Sequence, residues 1–128
     1  MGLTFDTGAL IGLERRRHAM RKVFATAIEH GVPITVPTVV IAEWWRQGAR
    51  EKERTEILRA VRVEPLDVQV ARLAGVAVGL TRGAGTIDAI VMASAALRGD
   101  TVYTSDPDDL VALRDCVAAL ERVQILLA

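Results

Sequence analysis

The chain has 128 residues, of which 51% are apolar, with a single cysteine and a formal net charge of zero from 16 Lys and Arg against 16 Asp and Glu. That length accommodates one compact core, the apolar content excludes a disordered tail, and no uninterrupted apolar run approaches the ~20 residues that span a bilayer. A lone cysteine excludes an internal disulfide, and Met1-Gly2-Leu3-Thr4-Phe5-Asp6 shows no basic stretch followed by an apolar one, so the expectation is a cytoplasmic protein with no membrane partner.

Taken in chain order, short apolar strands alternate with helix-length segments. Leu3–Phe5 reads as a strand, and Asp6 follows where the chain leaves the sheet for a helix. Arg16–His30 places Ala19, Met20, Val23, Ala27 and Ile28 at helical spacing. Ile34–Val36 reads as a second strand, and Pro37 as the first residue of a helix running to about Gly48. The charge-rich run Arg50–Arg59 reads as an exposed helix with i,i+4 pairs. Val61–Val63 is a third strand, and Asp67–Leu80 carries Val70, Leu73, Ala74, Ala77 and Val78 on one helical face. Thr86 reads as the N-cap of a helix through Leu97. Thr101–Thr104 is a fourth strand, Asp106-Pro107 opens another helix, and Val123–Leu126 is the last strand. Cys116, inside an apolar periodic segment, reads as a buried small hydrophobe and not as a nucleophile. No repeat, low-complexity tract or linker interrupts the pattern, so residues 1–128 read as one domain. Strands separated by helices imply an α/β fold of three layers around a mostly parallel sheet, with right-handed crossovers. In such sheets ligands gather beyond the carboxyl ends of the strands.

The zero net charge hides an asymmetry: residues 1–62 carry 11 Lys and Arg and 7 Asp and Glu, while residues 63–128 carry 5 and 9. The basic excess includes Arg15, Arg16, Arg17, Arg21 and Lys22, with His18 among them. Such a cluster can follow phosphates, and it equally suits a solvated helix face.

Acidic residues stand where strands end. Asp6 follows the first strand, Asp106 follows the fourth with Asp108 and Asp109 just beyond, and Asp88 lies in the first turn of a helix, where the dipole favours negative charge. Each has an ordinary structural reading: Asp6 as an N-cap, Asp106 with Pro107 and Asp109 as a variant capping box, Asp88 as a first-turn acid. Glu43 interrupts the apolar run Val39-Val40-Ile41-Ala42 before Trp44 and Trp45. It is either exposed beside Arg46 and Gln47 or held inward against a counter-charge. If Asp6, Glu43, Asp88 and Asp106 converge, their repulsion, about 4 kcal/mol per pair at ~4 Å and an effective dielectric of about 20, calls for a cation or for protonation. All-oxygen ligation favours Mg²⁺ or Mn²⁺, and His18, His30 and Cys116 show no zinc spacing. An acid-held metal of this kind suits phosphodiester hydrolysis.

At these residues the chain resembles the PIN-domain nucleases, and especially the VapC-type toxins of bacterial toxin–antitoxin pairs. The resemblance rests on Phe5-Asp6-Thr7 with Ala9-Leu10, Ile41-Ala42-Glu43, Ile87-Asp88-Ala89, and Thr104-Ser105-Asp106 with Asp109-Leu110, in that order across essentially the whole chain. It implies a PIN domain over residues 1–128, with a five-stranded parallel sheet ordered 3-2-1-4-5, homodimerisation, metal-dependent endoribonuclease activity on RNA, and a cognate VapB-type antitoxin. It further implies that Asp6, Glu43, Asp88 and Asp106 are the catalytic quartet, that Asp6, Asp88, Asp106 and Asp109 hold Mg²⁺ or Mn²⁺, and that Thr104 is the hydroxyl accompanying the last Asp. Asp108 stands beside Asp109 as the other candidate for the supporting acid, and Glu43 is either a ligand through water or the group that positions water. An aspartyl-phosphate enzyme would want a second Asp where Gly8 stands, and a receiver domain would want a late Lys, whereas the only lysines are Lys22 and Lys52. A catalytically silent RNA- or protein-binding module of the same fold, or a nuclease of RNA processing, is the alternative.

Of the remaining residues, Trp44 and Trp45 are adjacent on a helix and point about 100° apart, so one belongs to the core and the other to an edge or an interface. Ala71, Ala74, Gly75, Val78 and Gly79 form a small-residue stripe suited to close helix packing, in the core or in a dimer. Gly83 and Gly85 end one helix and let the chain turn before Asp88.

Overall fold

Five strands, β1 (Leu3–Phe5), β2 (Ile34–Pro37), β3 (Arg62–Glu64), β4 (Thr101–Thr104) and β5 (Ile125–Leu127), form one parallel sheet in the order β3-β2-β1-β4-β5. The computed structural model describes every residue except Gln47 and Ala49. β1 lies at the centre, with Leu3 opposite both Ile34 and Thr101, and Thr4 opposite both Thr35 and Val102. A parallel sheet needs cover on both faces, and accordingly Thr4 and Phe5 are fully buried.

The expected order 3-2-1-4-5 is the observed one, with strand bounds shifted by a residue or two. Pro37 closes β2 and caps the next helix from outside; it does not begin it. Its backbone (φ −63°, ψ 143°) is extended, and it pairs with Glu64. The helix that follows ends at Trp44, short of Gly48, because Trp45 leaves at ψ 88°. Gln47, inside the expected helix and one of the expected neighbours of Glu43, lies outside the described residues.

Among the described residues seven α-helices cover the sheet: α1 (Thr7–Glu14), α2 (His18–Glu29), α3 (Thr38–Trp44), α4 (Glu51–Ala60), α5 (Val68–Leu80), α6 (Thr86–Arg98) and α7 (Pro107–Cys116). α2, α3 and α4 gather around α1 on one face, while α5, α6 and α7 pack together on the other, with α6 against β1, β2 and β4. α6 is a central helix: every residue from Ala89 to Ala95 is buried, where a surface helix would bury one stripe. It begins from Gly85, so Thr86 is its first residue and not its cap, and it ends on Gly99 in the left-handed conformation that glycine adopts without steric cost.

Several expectations about helix faces change in three dimensions. The run from Arg16 splits into a turn and a helix that starts at His18; Arg16 itself takes φ 57°, with Arg17 N–H donating to Gly12 C=O at 2.9 Å to close α1. α4 is not simply exposed: Arg54 is buried and ion-paired with Glu14 of α1, and among the described residues no i,i+4 ion pair forms along it. Cys116 is exposed, contrary to expectation, because α7 buries Leu110 and Leu113 and Cys116 falls beside that stripe. Trp44 is buried and Trp45 exposed, their rings meeting edge to face at 6.0 Å. In α5, Ala74 is buried, whereas Gly75 and Gly79 face open space. No helix among the described residues is long and apolar enough to cross a membrane.

A polar network ties the amino ends of β1 and β4 to Glu64, the last residue of β3. Buried Asp100 accepts from Gly2 N–H at 2.8 Å, from Thr4 Oγ1 at 2.9 Å and from Arg98 Nε at 2.9 Å. Arg98 also donates to Thr4 Oγ1 at 2.7 Å and pairs with Glu64 of β3. Removing Arg98 leaves the buried Asp100 without a counter-charge and Glu64 without its ion-pair partner. Arg98→Ala therefore lowers unfolding free energy by about 2–4 kcal/mol in urea titrations, with cooperative unfolding retained. Arg16→Gly, relieving the left-handed strain of a residue with a Cβ, raises it by roughly 0.5–1 kcal/mol in the same assay.

Candidate active site

At the carboxyl edge of the sheet, four separate segments deliver acidic side chains to one cleft of about 170 Å³. It is lined by Asp6, Glu43, Asp88, Asp106 and Asp109, together with Thr7, Gly8, Ile87, Val91, Thr104 and Ser105. The convergence follows from topology. Asp6 leaves β1 and caps α1, its Oδ1 accepting from Ala9 N–H at 2.9 Å. Glu43 projects from α3, which follows β2. Asp88 lies in the first turn of α6, and Asp106 and Asp109 follow β4, the neighbour of β1.

Each ordinary reading of these residues meets a different outcome. Asp6 is both a helix cap and a wall of the cleft. Asp106 occupies the cap position of α7, yet its side chain makes no capping bond; its backbone N–H donates instead to Thr104 Oγ1 at 3.0 Å, leaving the carboxylate free. Asp88 makes no cap bond either. Glu43 is exposed, and its Oε1 accepts from the Thr7 hydroxyl. Arg46 donates its Nε–H to the Glu43 backbone carbonyl at 2.9 Å, so the expected neighbour binds the main chain and not the carboxylate. Of the two adjacent acids, Asp109 lines the cleft and Asp108 does not.

The electrostatics are those of crowded, uncompensated negative charge. None of the five carboxylates has an ion-pair partner among the described residues; the pairs that form use Glu14, Glu64, Asp100 and Asp115. Asp88 is pushed up from 3.8 to about 6, first by burial, then by the charges of Asp109, Asp6, Glu43 and Asp106. Burial also raises Asp6, against the hydrogen bond from Thr104 and the backbone N–H groups of Ala9 and Gly8. Thr104 at the end of β4 thus takes the amide of Asp106 and works against the burial of the Asp6 carboxyl. The donor set is all oxygen, with no His or Cys in the lining, which fits a hard divalent cation. Among the described residues no three such side chains are already disposed to hold an ion.

Two lining residues had no expected role. Thr7 and Ser105 each follow or precede an acid, and the position of Thr7 beside Asp6 was the one available signal: a hydroxyl in the first turn of α1 faces whatever stands above that turn. The basic cluster lies elsewhere. Arg16, His18, Arg21 and Lys22 line a larger groove of about 670 Å³ along α1, α2 and α4, opposite Glu53 and Glu56. That groove is at the far end of α1, about 12 Å of helix from Asp6. Its charges are mixed, and its acids show no crowding comparable to that of the cleft.

Comparison with known proteins agrees with this fold. A family model described as PIN domain matches residues 3–114. No curated protein matches the chain in sequence. Among solved structures, the fold is similar to that of VapBC2 from Rickettsia felis bound to a DNA fragment from its promoter (11% identity, covering 100% of this chain and 99% of that one, TM-score 0.74). It is similar as well to DNA-bound VapBC from Salmonella typhimurium (15%, 99% and 98%, TM-score 0.72). FitAcB from Neisseria gonorrhoeae gives 19% identity over 97% and 96%, with TM-score 0.69.

The raised carboxyls carry a stability signature. A carboxyl with a higher pKa folded than unfolded favours the folded state fully below its ordinary value, 3.8, and loses that contribution as pH rises through its folded value, about 6 for Asp88. In EDTA, Asp88→Asn is therefore matched with the parent near pH 4 and more stable at pH 7.5, by on the order of 1 kcal/mol or about 3–5 °C in Tm. An equal Tm difference at both pH values, by calorimetry, would contradict the crowding of charge at Asp88.

Proposed function

The chain belongs to the PIN-domain family, and on that premise we propose that it is a divalent-metal-dependent endoribonuclease acting as the toxin of a toxin–antitoxin pair. The observation that carries the nuclease reading is the cleft itself: five carboxylates from four segments, with no paired cation among the described residues, beside hydroxyls that orient them. A site with such uncompensated charge is suited to Mg²⁺ or Mn²⁺ and, through it, to phosphodiesters.

Asp6, Asp88 and Asp106 would hold the ion, with Asp109 supporting it from the first turn of α7. When bound, the ion supplies Lewis acidity to a phosphate oxygen and lowers the pKa of water. The protein's own part is positional. Thr104 holds the Asp106 backbone beside Asp6, α6 carries Asp88 in the turn just before its buried stretch, and Thr7 holds Glu43 at the open rim. Glu43, exposed and oriented by a hydroxyl, would accept a proton from an attacking water or ligate through one. Ile87 and Val91 give the cleft an apolar wall that limits competing water.

The toxin reading is supported by fold likeness to VapBC and FitAcB proteins and by a further similar structure described as a toxin–antitoxin complex from Klebsiella pneumoniae (19% identity, TM-score 0.65). Its partners would be an RNA substrate and a cognate VapB-type antitoxin. Homodimerisation is supported by the outer face of α5, where Val68, Val76 and Leu80 are exposed beside Gly75 and Gly79.

The test uses protein purified free of host nucleases. Single-stranded RNA is cut in Mg²⁺ or Mn²⁺, EDTA stops the cutting, and Asp6→Asn or Asp88→Asn lowers the rate at least about 100-fold with the circular dichroism spectrum unchanged. Cleavage that persists in EDTA or in these variants sinks the metal-nuclease reading. RNA binding with no cleavage by the parent protein would identify a silent module instead.

A further inference from the structure

The turn that carries Asp6 and the turn that carries Asp106 touch at a single glycine. A Cβ on Gly8 would stand 2.6 Å from Ser105 Cβ and 3.0 Å from the Ser105 backbone N, and would overlap the Ser105 hydroxyl. Gly8 is inside the first turn of α1, and it is not among the glycines with positive φ, so conformational freedom does not explain it. Alanine is the better helix former at such a position. What glycine provides here is closeness. The glycines of α5 make the contrast, since a Cβ on Gly75 or Gly79 would meet nothing within 4 Å.

The contact closes one side of a small frame. On the other side β1 is laddered to β4, with Phe5 opposite Tyr103 and Asp6 N–H donating to Tyr103 C=O at 3.2 Å. Between them the Thr104 hydroxyl accepts from the Asp106 amide at 3.0 Å and lines the cleft beside the Asp6 carboxylate. Ser105 is covalently next to Asp106, so a side chain that pushed Ser105 away would carry the Asp106 backbone with it. The strand ladder would not yield, because β1 is buried and paired on both flanks.

We propose that Gly8 is a positioning residue: by letting Ser105 approach α1, it sets the spacing between the carboxylates of Asp6 and Asp106 and hence the affinity of the cleft for a divalent cation. This rests on the metal reading above, and Mn²⁺ titration of the whole chain, followed by calorimetry or by the electron paramagnetic resonance of free Mn²⁺, separates the two. Gly8→Ala weakens Mn²⁺ binding about 10-fold or more. Ser105→Gly removes the side chain that the new methyl would strike, so Gly8→Ala/Ser105→Gly binds Mn²⁺ within about threefold of Ser105→Gly alone, the non-additivity expected of residues in contact. If Gly8→Ala melts early, the double variant regains both melting temperature and affinity. Unchanged affinity in Gly8→Ala, or a loss that Ser105→Gly fails to repair, overturns the spacing role. Failure of the parent protein to bind Mn²⁺ at all overturns the metal reading, and the spacing role with it.

Discussion

Pairing of the three-residue strand β1 on both of its flanks is the constraint from which the rest follows. Leu3, Thr4 and Phe5 align β2 on one side and β4 on the other in parallel register, so that the residues after each strand emerge at the same edge. Hydrogen bonds in such a short ladder contribute only about 1 kcal/mol each in net terms. The ladder persists because helices bury both faces, with α6 and α1 as the inner members of their layers. Side chains separated by up to a hundred positions thereby reach one small cleft.

Two polar clusters flank this sheet, and they are resolved in opposite ways. In one, Asp100 before β4 and Glu64 at the end of β3 are answered by Arg98, and the group closes on itself with bonds from Gly2 and Thr4. At the carboxyl edge five acids face one another with no such answer, and Asp88 shifts toward its neutral form. The first arrangement contributes stability and offers nothing to a ligand. The second costs stability in the absence of a counter-ion, which is the usual relation between a reactive site and the scaffold that supports it.

The layered parallel architecture was legible because strand-length apolar runs alternate with helix-length ones, and the acids were legible because they sit where strands end. The choice between cap and site was not legible for either of the two N-terminal Asp positions. Asp6 proves to be both, while Asp106 takes the cap position without making the cap bond, an outcome decided by Thr104 capturing its amide. The choice between Asp108 and Asp109 depended on the helical phase of α7. Hidden altogether were the interactions across long separations: Arg54 with Glu14, 40 residues apart, turned an apparently solvated helix into a packed one, and Asp100 binds Gly2 across 98. Periodicity describes what one element does alone. It carries no information about which charged residue a neighbouring layer will claim.

The enclosure of α6 has a consequence for how the molecule breathes. Local opening follows the least protected segments, and the stretch Ala89–Ala95 of α6, walled in by the sheet, α5 and α7, is among the last to release its amide protons. Asp88 is attached to the first turn of that element. It should remain in place through the partial openings that loosen the chain ends and the exposed edges, so exchange with solvent would erode the rim of the cleft long before its floor.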